Sequence, residues 1–81
     1  MEEERPKLLI VDDEHNTREA MARYLGRRYR VTTAADGGDA LEKLAGEKFD
    51  LVLTDLRMPK HDGMEVLEVA KAQPDPPSCL L

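Results

Sequence analysis

The sequence predicts an α/β domain built on a parallel, doubly wound sheet, and three observations predict it. Short apolar runs alternate with amphipathic stretches through the whole chain. The runs are continuous, as in strands buried on both faces, and do not alternate with polar residues as half-exposed strands do. The order is strand, helix, strand, helix, strand, helix, which requires right-handed crossovers and a parallel sheet.

The elements follow in order. Residues 1–6 are a charged lead-in closed by Pro6, expected to be flexible. The first strand is "KLLIV", Lys7 to Val11, and it stops at Asp12-Asp13-Glu14. From Asn16 to about Arg28, Ala20, Met21, Tyr24 and Leu25 fall at helical spacing, with Arg27 and Arg28 suited to the negative end of the helix dipole. "YRVTTA", Tyr29 to Ala34, is rich in β-branched residues and reads as the second strand. Asp36-Gly37-Gly38 breaks it, and "DALEKLAGEK" places Ala40, Leu41, Leu44 and Ala45 on one face of a second helix ending near Gly46. "FDLVLT" is the third strand. Beyond Met58-Pro59-Lys60, Asp62 suits a helix cap with Glu65 three positions on, and Met64, Leu67 and Ala70 form the stripe of a third helix. "QPDPPS" is not helical, and Cys79-Leu80-Leu81 reads as the beginning of a fourth strand.

Composition narrows the function. Eighty-one residues make at most one small domain, and 41% apolar content is too high for a disordered chain. A formal charge of −5 disfavours a phosphate-backbone binder, and Phe49, Tyr24 and Tyr29 are too few aromatics for a base-stacking surface. The single cysteine, Cys79, rules out an internal disulfide and a thiolate cluster. It reads as a small buried apolar residue, ordinary for a reducing cytoplasm. No apolar run approaches the ~20 residues of a membrane span, and "MEEERPK" lacks the pattern of a signal peptide. A cytoplasmic protein is expected.

The chemistry is expected in "DLVLTDLRMPKHDG", Asp50 to Gly63, where an apolar run ends on the carboxylate Asp55. A charge at the end of a buried strand is costly unless something there uses it. Ligands of open parallel sheets bind outside the carboxyl ends of the strands, where the strand order reverses. With the first and third strands adjacent, Asp12, Asp13 and Asp55 converge on one crevice, and their repulsion calls for a compensating cation or protons. Hard oxygen ligands in an open crevice point to magnesium.

"LLIVDDE", followed about forty residues later by "DLVLTDLRMPKHDGMEVL", resembles the receiver domain of bacterial two-component response regulators. "DLRMP" is most similar to the nitrogen-regulation type. The resemblance covers Lys7 to Leu81 and implies a flavodoxin-like sheet of order 2-1-3 with the start of strand four. It implies that Asp55 accepts a phosphoryl group from a sensor histidine kinase in a phosphorelay. It further implies that Asp13 ligates Mg2+ directly, that Asp12 does so through water, and that Arg57 offers its backbone carbonyl. A regulatory module controlling transcription through an effector domain is expected, not an enzyme. The family's hydroxyl residue after strand four and lysine after strand five are absent from this chain, and Lys60 and Lys71 stand on the wrong elements to replace them. The chain therefore reads as a C-terminally truncated receiver. Its third strand is expected at or near an exposed edge, and the first helix's side of the sheet as an apolar patch, so self-association is expected.

Blander readings exist for each residue. Asp12 and Asp13 alone would only start a helix, and Asp55 alone would be an even bet for a turn residue; together the site is favoured. His15 and His61 read as exposed loop residues, and "RRYR", Arg27 to Arg30, as a helix end meeting a strand. Gly37-Gly38 lack a dinucleotide fingerprint. Two rivals remain. An aspartyl-phosphate phosphohydrolase would need a second acid close behind Asp55, where position 57 is arginine. An interaction-only fragment would take no phosphate.

Overall fold

The computed structural model describes residues 5–54, 63–73 and 76–80. Seven elements run in the order β1 (Lys7–Val11), α1 (His15–Leu25), β2 (Arg30–Ala34), α2 (Gly37–Gly46), β3 (Leu51–Thr54), α3 (Gly63–Lys71) and β4 (Ser78–Leu80). The strands form one parallel sheet in the order β2-β1-β3-β4.

This order dictates where the helices lie. The chain steps from β1 outward to β2, then back past β1 to β3, and on to β4. Crossovers of one hand made in opposite directions fall on opposite faces of a sheet. Accordingly α2 and α3 pack together on one face, and α1 is alone on the other. Strand residues alternate between the faces. Leu9 and Val11 of β1 and Val52 of β3 join Ala34, Ala40, Leu44, Phe49, Val66 and Ala70 in the core beneath α2 and α3. Leu8, Leu51 and Leu53 point to the α1 side, where with Leu25 and Tyr29 they line an apolar cleft of about 220 Å³.

Several boundaries differ from the sequence expectation for identifiable reasons. Helix α1 begins at His15 because Glu14 caps it, its carboxylate accepting the Thr17 N–H at 2.7 Å. The expected stripe of α1 does not hold as a unit. Met21 and Leu25 are half-buried, whereas Ala20 is exposed and Tyr24 is 82% exposed. Helix α2 starts at Gly37, not after the glycine pair. The Asp36 side chain accepts the Asp39 N–H at 2.8 Å, and this cap outweighs the poor helix propensity of two glycines in the first turn. In α3, Val66 and Ala70 are fully buried and Leu67 is nearly so. The side chain of Met64 and the whole of Asp62 lie outside the described residues.

Two further details bear on stability. Strand β4 pairs Ser78, Cys79 and Leu80 with Leu51, Val52 and Leu53, so β3 is one strand in from the edge. Arg5 and Pro6, expected in the flexible lead-in, are tied down. The Pro6 carbonyl accepts the Arg30 N–H at 2.8 Å, and Arg5 donates to the Gly26 carbonyl at 2.6 Å.

Candidate functional site

The order reversal lies between β1 and β3, whose outgoing connections diverge, from β1 through α1 to β2 and from β3 through α3 to β4. Their register is Leu8 with Leu51, Leu9 with Val52, Ile10 with Leu53 and Val11 with Thr54. The last residues of the two strands are therefore level. Asp12 follows Val11 in the chain, and Asp55 follows Thr54.

Asp12 is held on several sides. Its N–H donates to the Ala34 carbonyl at 3.2 Å, continuing the β1–β2 ladder one step past β1. Its Oδ1 accepts the Glu14 N–H at 2.9 Å, and its carbonyl accepts Arg18 Nη1, also at 2.9 Å. Asp12 is 9% exposed, a carboxylate held at the sheet end by the Glu14 N–H. Asp13 beside it is exposed. Glu14 is turned away into the helix cap, where the Thr17 N–H lowers its pKa from the ordinary value. Thr54, at the level of Val11 on β3, is 3% exposed.

The start of α2 follows the carboxyl end of β2, on the other side of β1 from β3. Asp39 accepts Lys43 Nζ at 3.0 Å and the Ala35 N–H at 3.2 Å, and its pKa is lowered, first by the Lys43 hydrogen bond. Asp39 is thereby committed to its own helix. His15 is exposed, as the sequence suggests, but its Nδ1 stands 3.1 Å from Arg18 Nη2.

The structure thus brings Asp12 and Asp13 to the carboxyl end of β1, level with the end of β3. Asp55, Arg57 and His61 lie outside the described residues, and among the described residues no group of three or more His, Cys, Asp or Glu is placed to hold a metal. The donors present are carboxylate oxygens, which fit Mg2+ in kind. Sequence reading missed Arg18, a lone arginine in the first turn of a helix. Its contact is with a backbone carbonyl, which no residue pattern displays.

Residues 8–81 match the family model of the response regulator receiver domain. The chain belongs to that family. Among curated receiver-containing relatives, the transcriptional activator protein PfeR of Pseudomonas aeruginosa is 39% identical over 77 residues, 94% of this chain and 25% of that protein. The alkaline phosphatase synthesis transcriptional regulatory protein PhoP of Bacillus subtilis is 43% identical over 68 residues, 83% of this chain and 28% of the relative. The chain spans about a quarter of these relatives.

Solved structures agree on the receiver fold. The response regulator TrrA of Thermotoga maritima, solved with Mg2+ and BeF, superposes with a TM-score of 0.82 at 38% identity, over 93% of this chain and 67% of that one. The chemotaxis response regulator CheY4 of Vibrio cholerae gives 0.80 at 35% identity, over 88% and 60%. The strand order 2-1-3-4 observed here is that of this receiver fold.

Among the described residues, no helix is long and apolar enough to cross a membrane.

Proposed function

We propose that this receiver domain is a magnesium-dependent phosphoacceptor in a two-component phosphorelay, with Asp55 as the acceptor. The supporting observation is the register of Val11 with Thr54, because the acidic pair and Asp55 are the next residues along two neighbouring, level strands. Asp13 is proposed as the direct ligand of the ion, Asp12 as a ligand through water and Arg57 as a carbonyl donor. The donor is the phosphohistidine of a sensor histidine kinase.

In the transfer, a carboxylate oxygen of Asp55 forms a bond to phosphorus while the bond from phosphorus to the imidazole nitrogen breaks. The imidazole leaves with that electron pair. Bound Mg2+ supplies positive charge that offsets the repulsion between the attacking carboxylate and the phosphoryl oxygens. Asp12 contributes a negative charge fixed before the donor arrives, because the Glu14 N–H and the end of β1 already hold it. A cytoplasmic location and control of transcription by a longer protein follow from the same reading, the latter from the names of the relatives.

Incubation with acetyl phosphate and Mg2+, read by intact mass, tests the proposal. One phosphoryl group is expected on the wild type and none on Asp55→Asn. An adduct that persists in the variant, or none on the wild type at saturating donor, overturns it.

A further inference from the structure

We propose that Arg18 is a positioning residue of the cation site: its guanidinium fixes the peptide plane between Asp12 and Asp13 and so aims the Asp13 carboxylate. The inference rests on the phosphoacceptor reading, in which Asp13 ligates the ion.

Three contacts carry it. Arg18 Nη1 donates to the Asp12 carbonyl at 2.9 Å, and Nη2 lies 3.1 Å from His15 Nδ1. The backbone N–H of Arg18 donates to the Glu14 carbonyl at 3.0 Å, which anchors the residue in the first turn of α1. Arg18 is half-buried while its neighbours Thr17 and Glu19 are exposed, so the side chain folds back over the strand end. A peptide unit is planar, and fixing its carbonyl oxygen also fixes the N–H and Cα of the next residue. The Asp12 carbonyl belongs to the unit that leads into Asp13. With the Asp12 N–H already held by Ala34, the backbone is pinned on both sides of Asp12, and Asp13 leaves it in a set direction.

The choice of a carbonyl as acceptor matters. An arginine paired with Asp12 or Asp13 directly would neutralise a carboxylate that the cation needs. Bonding the carbonyl organises the loop and leaves both charges for the ion. The rigid fork of the guanidinium bonds two acceptors in fixed geometry, whereas a lysine ammonium is a point donor.

The purely structural alternative is that Arg18 only staples the first turn of α1. The two separate in a titration with Mg2+ alone, followed by the backbone amide shifts of residues 11–14 in the wild type and in Arg18→Lys, His15→Ala and Asp13→Asn. Far-UV circular dichroism establishes which variants are folded. Arg18→Lys keeps the charge and loses the fork, and is expected to weaken Mg2+ about tenfold, the lower end of the loss when an outer partner of a metal ligand is removed. His15→Ala, at an exposed position, frees one arm of the fork and is expected to weaken it in the same direction by less. Asp13→Asn is expected to lose the binding. Should Arg18→Lys and His15→Ala bind within twofold of the wild type while Asp13→Asn does not bind, the positioning role is wrong and the phosphoacceptor reading stands. An Asp13→Asn variant that binds like the wild type overturns both.

Discussion

At the scale of single residues, the carboxylates near the strand ends divide by what they bond. Asp12 meets the N–H of Glu14, Glu14 caps α1, and Asp39 is bound to Lys43 and Ala35. Asp13 is exposed, and in the proposed site it meets the cation. Asp39 gives a pH prediction. Its pKa in the folded chain is below its ordinary value of 3.8, so its stabilising contribution is complete above about pH 4 and is lost as pH falls through the lowered value. Urea midpoints between pH 7 and pH 2.5 should fall less in Asp39→Asn than in the wild type, since the variant lacks the group whose protonation costs stability. Equal losses would remove Asp39 from the acid response. The acidic pair was legible because two aspartates ending an apolar run are unusual chemistry. Arg18 was not, because the group it serves is a carbonyl that every residue carries.

Among elements, the sequence reading ran α1 on to about Arg28, whereas it ends at Leu25 with Gly26 as its C-cap and leaves Arg27 and Arg28 beyond the helix. It also misplaced the starts of α1 and α2, and those two misreadings have one cause. Side-chain caps recruit residues whose own propensities argue against a helix. Asp36 draws Gly37 and Gly38 into α2, and Glu14 draws His15 into α1. Asp36→Ala should therefore cost about 1 kcal/mol, measured by chemical denaturation, and should fray the first turn of α2. A change within experimental error would mean that packing of Ala40 and Leu44, and not the cap, sets the start of the helix. β1 was read to the residue and the other strands to within two, because short apolar or β-branched runs here are bounded by charged and turn-forming residues. The stripe of α1 was misjudged for a reason that lies beyond that element. Its apolar residues match a helical face, but the sheet beneath offers a partner only to the half carrying Met21 and Leu25.

The whole molecule is lopsided. The α2–α3 face contains the larger core, with Leu9, Val52 and Val66 fully buried, while the other face has α1 alone over buried Leu8 and Ile10 and half-buried Leu51 and Leu53. Truncating Leu9 to Ala should cost about 3 kcal/mol, a large share of the stability of so small a domain, and a thermal melt would read it directly. The α1 face, with the cleft beside Leu25 and Tyr29 and with Tyr24 exposed, gives a further expectation. The 81-residue polypeptide should show concentration-dependent association in sedimentation velocity. A single monomeric species at all concentrations, melting cooperatively, would contradict it. The parallel sheet and its order were legible because alternation of strand and helix with crossovers of one hand leaves few topologies. The site was only half legible in space, since Asp12 and Asp13 are placed by β1, whereas Asp55 is reached through the register of Thr54.

The central claim is that the acidic ends of β1 and β3 share one cation, and paramagnetic broadening by substoichiometric Mn2+ tests it most directly. Amide signals around Val11 to Asp13 and at Thr54 should broaden together and recover together when Mg2+ is added in excess. Broadening of one strand end without the other, or at the opposite end of the sheet around Lys7 and Asp50, would contradict it.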